Sequence, residues 1–164
     1  MAFRDISKAA TQGSLNNMAW DYLLNSVDLS LTAWNTQAVH EVFTVTGLVR
    51  VQLLVSCSET LVDAADGASI QFGFEGATTA LIASTGAAGA GGNTVAINEL
   101  WIDNSPADTY ATFANAVFNY IVYGLDIGYE ITGAALTNGT LDFHCWWEPI
   151  SNDGNVVLGA GGVM

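Results

Sequence analysis

The chain has 164 residues and a mass of 17.2 kDa, which suits one domain with a sizeable core. Sixteen acidic residues against three basic ones give a net charge of −13, which argues against binding to nucleic acid or to an anionic membrane. Half of the residues are apolar and 12% are charged, which excludes disorder as the main state and favours large subunit interfaces. No run of strongly apolar residues is long enough to predict a membrane span.

The first 37 residues are predicted to form an N-terminal arm and a docking segment. Two cations and one acid give residues 1–8 a charge of +1, whereas one Arg and fifteen acids give the remainder −14. We expect residues 1–15 to extend from the body and to contact a partner, and residues 18–36 to dock this arm. The predicted contact residues of the arm are Phe3, Arg4, Ile6 and Lys8.

The body, residues 38–164, has the pattern of a β protein. Apolar residues occupy most odd positions from Val39 to Val55, a period of two that indicates strands, and Gly47 predicts a bend, a bulge or a turn within it. The Gly/Ala-rich stretch 84–94 predicts an exposed loop. Asn138-Gly139 predicts a hairpin between residues 129–131 and 141–143.

These segments give eight or nine strands and no convincing helix in the body. Short strands at this spacing predict an all-β fold, a two-sheet antiparallel β-sandwich that is jelly-roll-like, preceded by the extended arm.

Residues suited to metal binding or nucleophilic catalysis are few. A zinc site would need His40, Cys57, His144 and Cys145. His144 and Cys145 are adjacent in a predicted strand, so their side chains point to opposite faces. The same geometry argues against a Cys–His nucleophile, and we expect two buried thiols instead.

The acidic residues give no specific catalytic or metal-binding signal. Pairs such as Glu99/Asp103 or Glu130/Asp142 would suit a glycosidase, but sixteen carboxylates make close pairs common. The stretches 63–67 and 152–155 could offer oxygens to Ca²⁺, yet turn chemistry explains both. We therefore expect no enzyme activity, no metal and no cofactor.

Five tryptophans are the remaining candidates for binding. Trp146 and Trp147 are adjacent in a predicted strand, so one faces the core and the other faces a neighbour or solvent. The predicted core or interface aromatics are Trp101, Trp146 and Trp147. Aromatic rings displayed together on one face would instead suit a carbohydrate-binding module, which stays open as an alternative.

Short hydrophobic segments around turns recur at residues 62–70, 79–83, 99–103 and 141–157. This succession, within residues 39–158, resembles the small β-rich head decoration (cement) proteins of tailed bacteriophages. The resemblance implies a virion structural protein that binds the major capsid protein, often as a trimer, and stabilises the outer capsid surface after synthesis in the host cytoplasm. Another virion module, of tail or fibre, is the alternative within the same class.

Overall fold

The computed structural model describes residues 20–65, 67–88, 95–101 and 118–161, and almost all of its regular structure is β. The strands are β1 (Asp21–Asp28), β2 (Val39–Thr46), β3 (Leu48–Asp63), β4 (Ser69–Phe74), β5 (Ala77–Gly86), β6 (Leu100–Trp101), β7 (Phe118–Tyr123), β8 (Ile127–Thr132), β9 (Leu136–Pro149) and β10 (Asn155–Leu158). A four-residue helix, α1 (Thr32–Asn35), connects β1 to β2. The all-β prediction is confirmed.

The strands form two antiparallel sheets. In sheet A the order is β1-β9-β3, and β6 and β7 pair with different parts of the remaining edge of β3. In sheet B the order is β10-β2-β8-β4-β5. Without the short β6 and the outermost β10, the orders β1-β9-β3-β7 and β2-β8-β4-β5 are those of a jelly roll. The predicted two-sheet, jelly-roll-like sandwich is therefore confirmed.

The long alternating pattern of the sequence divides at Gly47 into two strands that belong to different sheets. Gly47 has φ +63°, and a Cβ there would lie 2.8 Å from the backbone carbon of Asp153, so the turn requires glycine. The preceding strand, β2, lies in sheet B, and the following strand, β3, lies in sheet A. Of the structures predicted at this glycine, the turn between two strands is the one that forms.

Large aromatic side chains fill the space between the sheets. Tyr129 of sheet B stacks on Phe143 of sheet A at 5.5 Å between ring centroids, and Phe72 lies 5.3 Å from the same Phe143 ring. All three side chains are fully buried. The Tyr129 hydroxyl donates a hydrogen bond of 2.5 Å to the carbonyl of Trp34, which holds α1 against the sandwich.

The predicted hairpin at Asn138-Gly139 is wrong. Strand β8 lies in sheet B and β9 in sheet A, and Asn138-Gly139 lies inside β9 where its register against β3 shifts. Gly139 has φ +117°, and a Cβ there would lie 2.8 Å from the Cα of Leu61. The glycine therefore permits a close approach of two paired strands rather than a chain reversal.

The predicted exposed loop at 84–94 is wrong for its first part. Thr85, Ala87 and Ala88 are buried, and the Ala87 amide donates to the carbonyl of Ala68 at 2.9 Å. Small side chains allow this segment to pack, so its composition reflects close packing as much as flexibility. Residues 89–94 lie outside the described residues.

Candidate binding surface on sheet A

The outer face of sheet A combines aromatic rings with planar polar groups. From Val49 to Cys57 of β3 and from Leu141 to Trp147 of β9, the odd-numbered residues are buried in the core, so their even-numbered neighbours point outward. The strand register then places one outward residue from each of four strands in a line across the sheet. This line, the amide row, consists of Tyr22 of β1, Trp146 of β9, Gln52 of β3 and Asn119 of β7.

A cavity of about 280 Å³ lies at one side of the amide row. Arg50 forms an ion pair with Glu148 at 2.9 Å, and its guanidinium lies 5.8 Å from the centroid of the Trp20 ring. Gln52 Nε2 donates to Asn119 Oδ1 at 2.7 Å, so the two amides of the row stand side by side. The residues around the cavity are Trp20, Arg50, Gln52, Asn119, Tyr120 and Ile121.

An aromatic cluster lies at the other side of the row. The ring centroids of Tyr22 and Trp146 are 5.3 Å apart, and His144 stacks on Trp146 at 6.0 Å. His144 Nδ1 lies 2.8 Å from the Tyr22 hydroxyl, and its Nε2 lies 3.0 Å from Ser56 Oγ. Burial lowers the pKa of His144 below its usual 6.5, and nearby Asp142 opposes this shift. A neutral imidazole with one donor and one acceptor satisfies both contacts.

The Ser56–His144 contact was not predicted, because 88 residues separate its members. In a Ser–His–carboxylate triad, the second imidazole nitrogen binds a carboxylate that fixes the ring. Here that nitrogen faces the Tyr22 hydroxyl, and the Asp142 carboxylate accepts a hydrogen bond from Ser26. The imidazole is therefore held by two hydroxyl groups, and the nearby Asp142 acts on it by charge rather than through the hydrogen bond of a triad.

The predicted tryptophans separate into two environments. Trp101 is fully buried and packs on Phe72, and Trp147 faces the core with 9% of its surface exposed. Trp146 faces outward in the amide row, so the two adjacent rings point to opposite faces of the sheet. The predicted arm residues Phe3, Arg4, Ile6 and Lys8 lie outside the described residues.

The predicted histidine and cysteine positions are dispersed through the sandwich. Cys145 faces the core, whereas its neighbour His144 faces outward. Burial raises the pKa of the Cys57 and Cys145 thiols to about 12, so both are protonated and unreactive at neutral pH. His40 is buried, and its Nε2 lies 2.8 Å from the Thr36 carbonyl. In the part of the chain that the structure describes, no three potential ligands are grouped to hold a metal.

The carboxylate pair Glu130/Asp142 is not brought together. Glu130 lies on the outer face of sheet B, where it accepts hydrogen bonds from Gln71 at 2.6 Å and Thr78 at 2.7 Å. Asp142 lies on the outer face of sheet A, on the opposite side of the sandwich. Glu99 is buried and accepts a hydrogen bond from the Ala96 amide, whereas Asp103 lies outside the described residues.

The two acidic stretches form turns. Asp63 Oδ2 accepts hydrogen bonds from the amides of Gly67 at 2.8 Å and Ala68 at 3.1 Å. The Gly154 amide donates to the Ser151 carbonyl at 3.1 Å, and the pKa of Asp153 is lowered by its hydrogen bond with the Ser151 side chain. These oxygen atoms therefore form hydrogen bonds within the turns, as turn chemistry predicts.

One end of the sandwich carries exposed apolar side chains. Here the Gly124 amide donates to the Gly47 carbonyl at 3.0 Å, and the Ile150 amide donates to the Leu48 carbonyl at 2.9 Å. These bonds bring together the β2–β3 turn, the β7–β8 connection and the end of β9. The three exposed residues, called the apolar tip, are Tyr123 (72% exposed), Leu125 (44%) and Ile150 (49%).

Comparisons of this chain with protein-family models, with curated proteins and with solved structures find no match. The described residues include no helix with the length and hydropathy that crossing a membrane requires.

Proposed function

We propose that the protein is a non-enzymatic virion structural protein that binds and stabilises a bacteriophage capsid shell, with the major capsid protein as its partner. The observation that carries this proposal is the apolar tip, a group of three exposed apolar side chains at one end of the jelly roll. Jelly rolls recur among viral capsid proteins, which agrees with the proposal but argues only by analogy of fold.

The apolar tip suits a protein surface as its partner. Interface cores are enriched in aromatic side chains and depleted in charge, and the three tip residues are apolar. Asp126 follows Leu125 in the chain, but its carboxylate accepts a hydrogen bond of 2.9 Å from the Val45 amide, so it is turned into the fold. The exposed Asp153 lies beside Gly47 at the same end, so a partner would have to accommodate this charge at the edge of the tip. Burial of these side chains against a shell would supply the main apolar contribution to binding.

The N-terminal arm would provide a second contact. Its predicted anchors, Phe3 and Ile6, would pack on the shell or on a neighbouring subunit, and Arg4 and Lys8 would meet carboxylates there. Each exposed ion pair contributes only about 0.2–1 kcal/mol. Within the arm, the apolar anchors and strand pairing would therefore contribute more binding free energy than the ion pairs. A homotrimer on the outer capsid surface would repeat both contacts three times and strengthen attachment through multivalency.

The tip is tested with capsid shells assembled from the major capsid protein encoded in the same genome. Replacing Tyr123, Leu125 and Ile150 with serine should weaken cosedimentation with shells by about 100-fold, since three partial burials together contribute roughly 3 kcal/mol. The matched control replaces Val62 and Ile97, which are also about half exposed. Unchanged affinity of the folded triple variant would overturn the assignment of the tip.

The remaining parts of the proposal need separate measurements. A mass-spectrometric inventory of purified virions should find the protein in many copies, and its absence would overturn the virion assignment. Removal of residues 1–14 should weaken shell binding while the body still folds. Light scattering should give the mass of a trimer, and a 17.2 kDa species both with and without shells would contradict oligomerisation.

A further inference from the structure

We propose that the outer face of sheet A binds a neutral saccharide, laid across the strands along the amide row with one sugar ring in the adjacent cavity. This binding site shares no residue with the apolar tip, although Ile121 of the cavity and Tyr123 of the tip are outward neighbours on β7. The inference does not depend on the shell-binding function. Its ligand would be recognised by Tyr22, Trp146, Gln52 and Asn119, and by the Trp20–Arg50–Glu148 group beside them.

The amide row offers both kinds of group that a sugar requires. Tyr22 and Trp146 provide ring surface and edges for the C–H groups of a pyranose, and each also has a polar tip. Gln52 and Asn119 carry planar amides with donors and acceptors that match hydroxyl groups. The hydrogen bond between these amides, at 2.7 Å, sets their orientation before a ligand arrives. Apolar surface with a few fixed polar groups is the usual composition of a small-molecule site.

The dimensions of the surface suit a short oligosaccharide. The cavity of about 280 Å³ is close to the lower limit of roughly 300 Å³ for ligand sites, which fits a small unit such as one sugar ring. Neighbouring strands are about 4.8 Å apart, so the row from β1 to β7 extends for roughly 14 Å. Further rings of the same chain would therefore lie over Trp146 and Tyr22.

The electrostatics favour a neutral ligand over an anionic one. Arg50 is the only cation in the sequence after Lys8, and Glu148 neutralises it at 2.9 Å. Asp142 lies on the same face, and the whole chain carries −13, so an anionic sugar would be repelled. A neutral polyol meets no such penalty, and the half-exposed Arg50 guanidinium, held by the buried Glu148, offers donor groups to its hydroxyls.

The same composition distinguishes this site from a protein-docking surface. The centre of the row consists of two amides beside an ion pair, whereas the core of a protein interface is depleted in charge. The apolar tip has the composition of a protein interface, and the amide row has that of a ligand site. We therefore assign the two surfaces to different partners.

The test uses the full chain on an array of neutral oligosaccharides (of glucose, mannose, galactose and N-acetylglucosamine) and acidic ones (sialylated and uronate-containing). We expect binding to at least one neutral oligosaccharide, measured afterwards by titration calorimetry with that compound. Trp146→Ala should weaken its binding by about tenfold through loss of stacking. Gln52→Ala should weaken it severalfold through loss of hydrogen bonds, while Asn152→Ala, a change of an exposed amide elsewhere, should leave it unchanged.

Thermal unfolding of each variant establishes that it is folded. If Trp146→Ala does not fold, the loss of saccharide binding in Gln52→Ala provides the test. Lack of binding to every neutral oligosaccharide, or binding that persists in both variants, overturns the proposal. Binding to acidic oligosaccharides alone also overturns it, as does a loss of shell binding in Trp146→Ala without any glycan binding. The triple variant of the apolar tip should keep the saccharide affinity of the unaltered chain, which separates this proposal from that of shell binding.

Discussion

His144 links the aromatic cluster to the pH dependence of stability. Its pKa is lowered in the folded protein by burial, and its two nitrogens contact Tyr22 and Ser56. Protonation therefore favours the unfolded chain, in which the pKa returns to its usual value. The stability that comes from neutral His144 is complete above about pH 6.5 and is lost as the pH falls through that value and below.

We predict that His144→Gln reduces this loss. The unaltered protein should lose more stability than the variant between about pH 7.5 and pH 5, a range that spans the usual pKa of histidine. Urea unfolding of both proteins across this range measures the difference. Comparison with the variant is needed because carboxylates also titrate near pH 5, the lower limit of this range. Parallel curves for the two proteins would show that His144 has no shifted pKa.

Replacing Trp101 and replacing Trp146 should lower the free energy of unfolding by different amounts. Trp101 is fully buried between the sheets, so Trp101→Ala should lower the free energy of unfolding by about 3–5 kcal/mol. Trp146 lies on the outer face, so Trp146→Ala should cost clearly less. Denaturant unfolding of both variants measures the contrast. Equal losses would mean that Trp146 is covered in solution, as it would be in a subunit interface.

The sequence predicted the opposite orientations of Trp146 and Trp147, because neighbouring side chains alternate along any strand. The prediction left open which of them faces the core, although the alternation indicates it: Trp147 continues the apolar series of Leu141, Phe143 and Cys145, whereas Trp146 follows Asp142 and His144. The Arg50–Glu148 pair and the amide row were also missed. Their members come from distant strands, and only the strand register brings them together.

At the scale of elements, strand β9 shows where a local signal fails. Asn-Gly favours a tight hairpin, but the chain has already crossed from sheet B to sheet A at residues 133–135. Gly139 is then used where β9 approaches β3 closely, and its carbonyl accepts a hydrogen bond of 2.9 Å from the Leu29 amide. A glycine that suits a positive φ can occur in a hairpin turn or where two strands approach closely, and the local sequence does not distinguish the two.

We predict that Gly139→Ala destabilises the protein by at least about 2–3 kcal/mol, because it combines a strained φ of +117° with a clash against the backbone of β3. The control is Gly124→Ala, at φ +60° with open space around it, which should cost about 1–2 kcal/mol for the backbone conformation alone. Urea unfolding measures both values. A smaller loss at Gly139 than at Gly124 would contradict the close approach.

The two outer faces of the molecule differ in character. Sheet A presents rings, amides and one ion pair, whereas sheet B presents a polar network in which Glu130 binds Gln71 and Thr78. The sandwich class was predictable because alternation and turn residues are local signals. The difference between the faces was not, because it requires knowing which outward positions share a sheet.

At the scale of the whole molecule, net charge should control stability more than ion pairing does. The chain carries −13, and Arg50–Glu148 is the ion pair found among the described residues. Salt therefore screens more repulsion than attraction. We predict that the thermal unfolding midpoint rises as NaCl increases from about 10 to 200 mM, a range over which the Debye length falls from roughly 30 Å to below 10 Å.

Calorimetry at constant pH measures this rise. Tetramethylammonium chloride at the same ionic strength should produce the same rise, because screening does not depend on the identity of the cation. A midpoint that falls with salt would show that attractive pairs dominate.

The pairing of the first strand with the ninth also constrains how the protein is made. Asp21 pairs with Trp147, so 126 residues (147 minus 21) must follow Asp21 before its partner exists. At about 5–20 residues per second, a ribosome needs roughly 6–25 seconds for this stretch. During that time β1 has no strand to join, and β3 lacks its neighbour β9. Sheet A can therefore close only near the end of translation, and a nascent chain halted before β9 would expose apolar strand surface to chaperones and proteases.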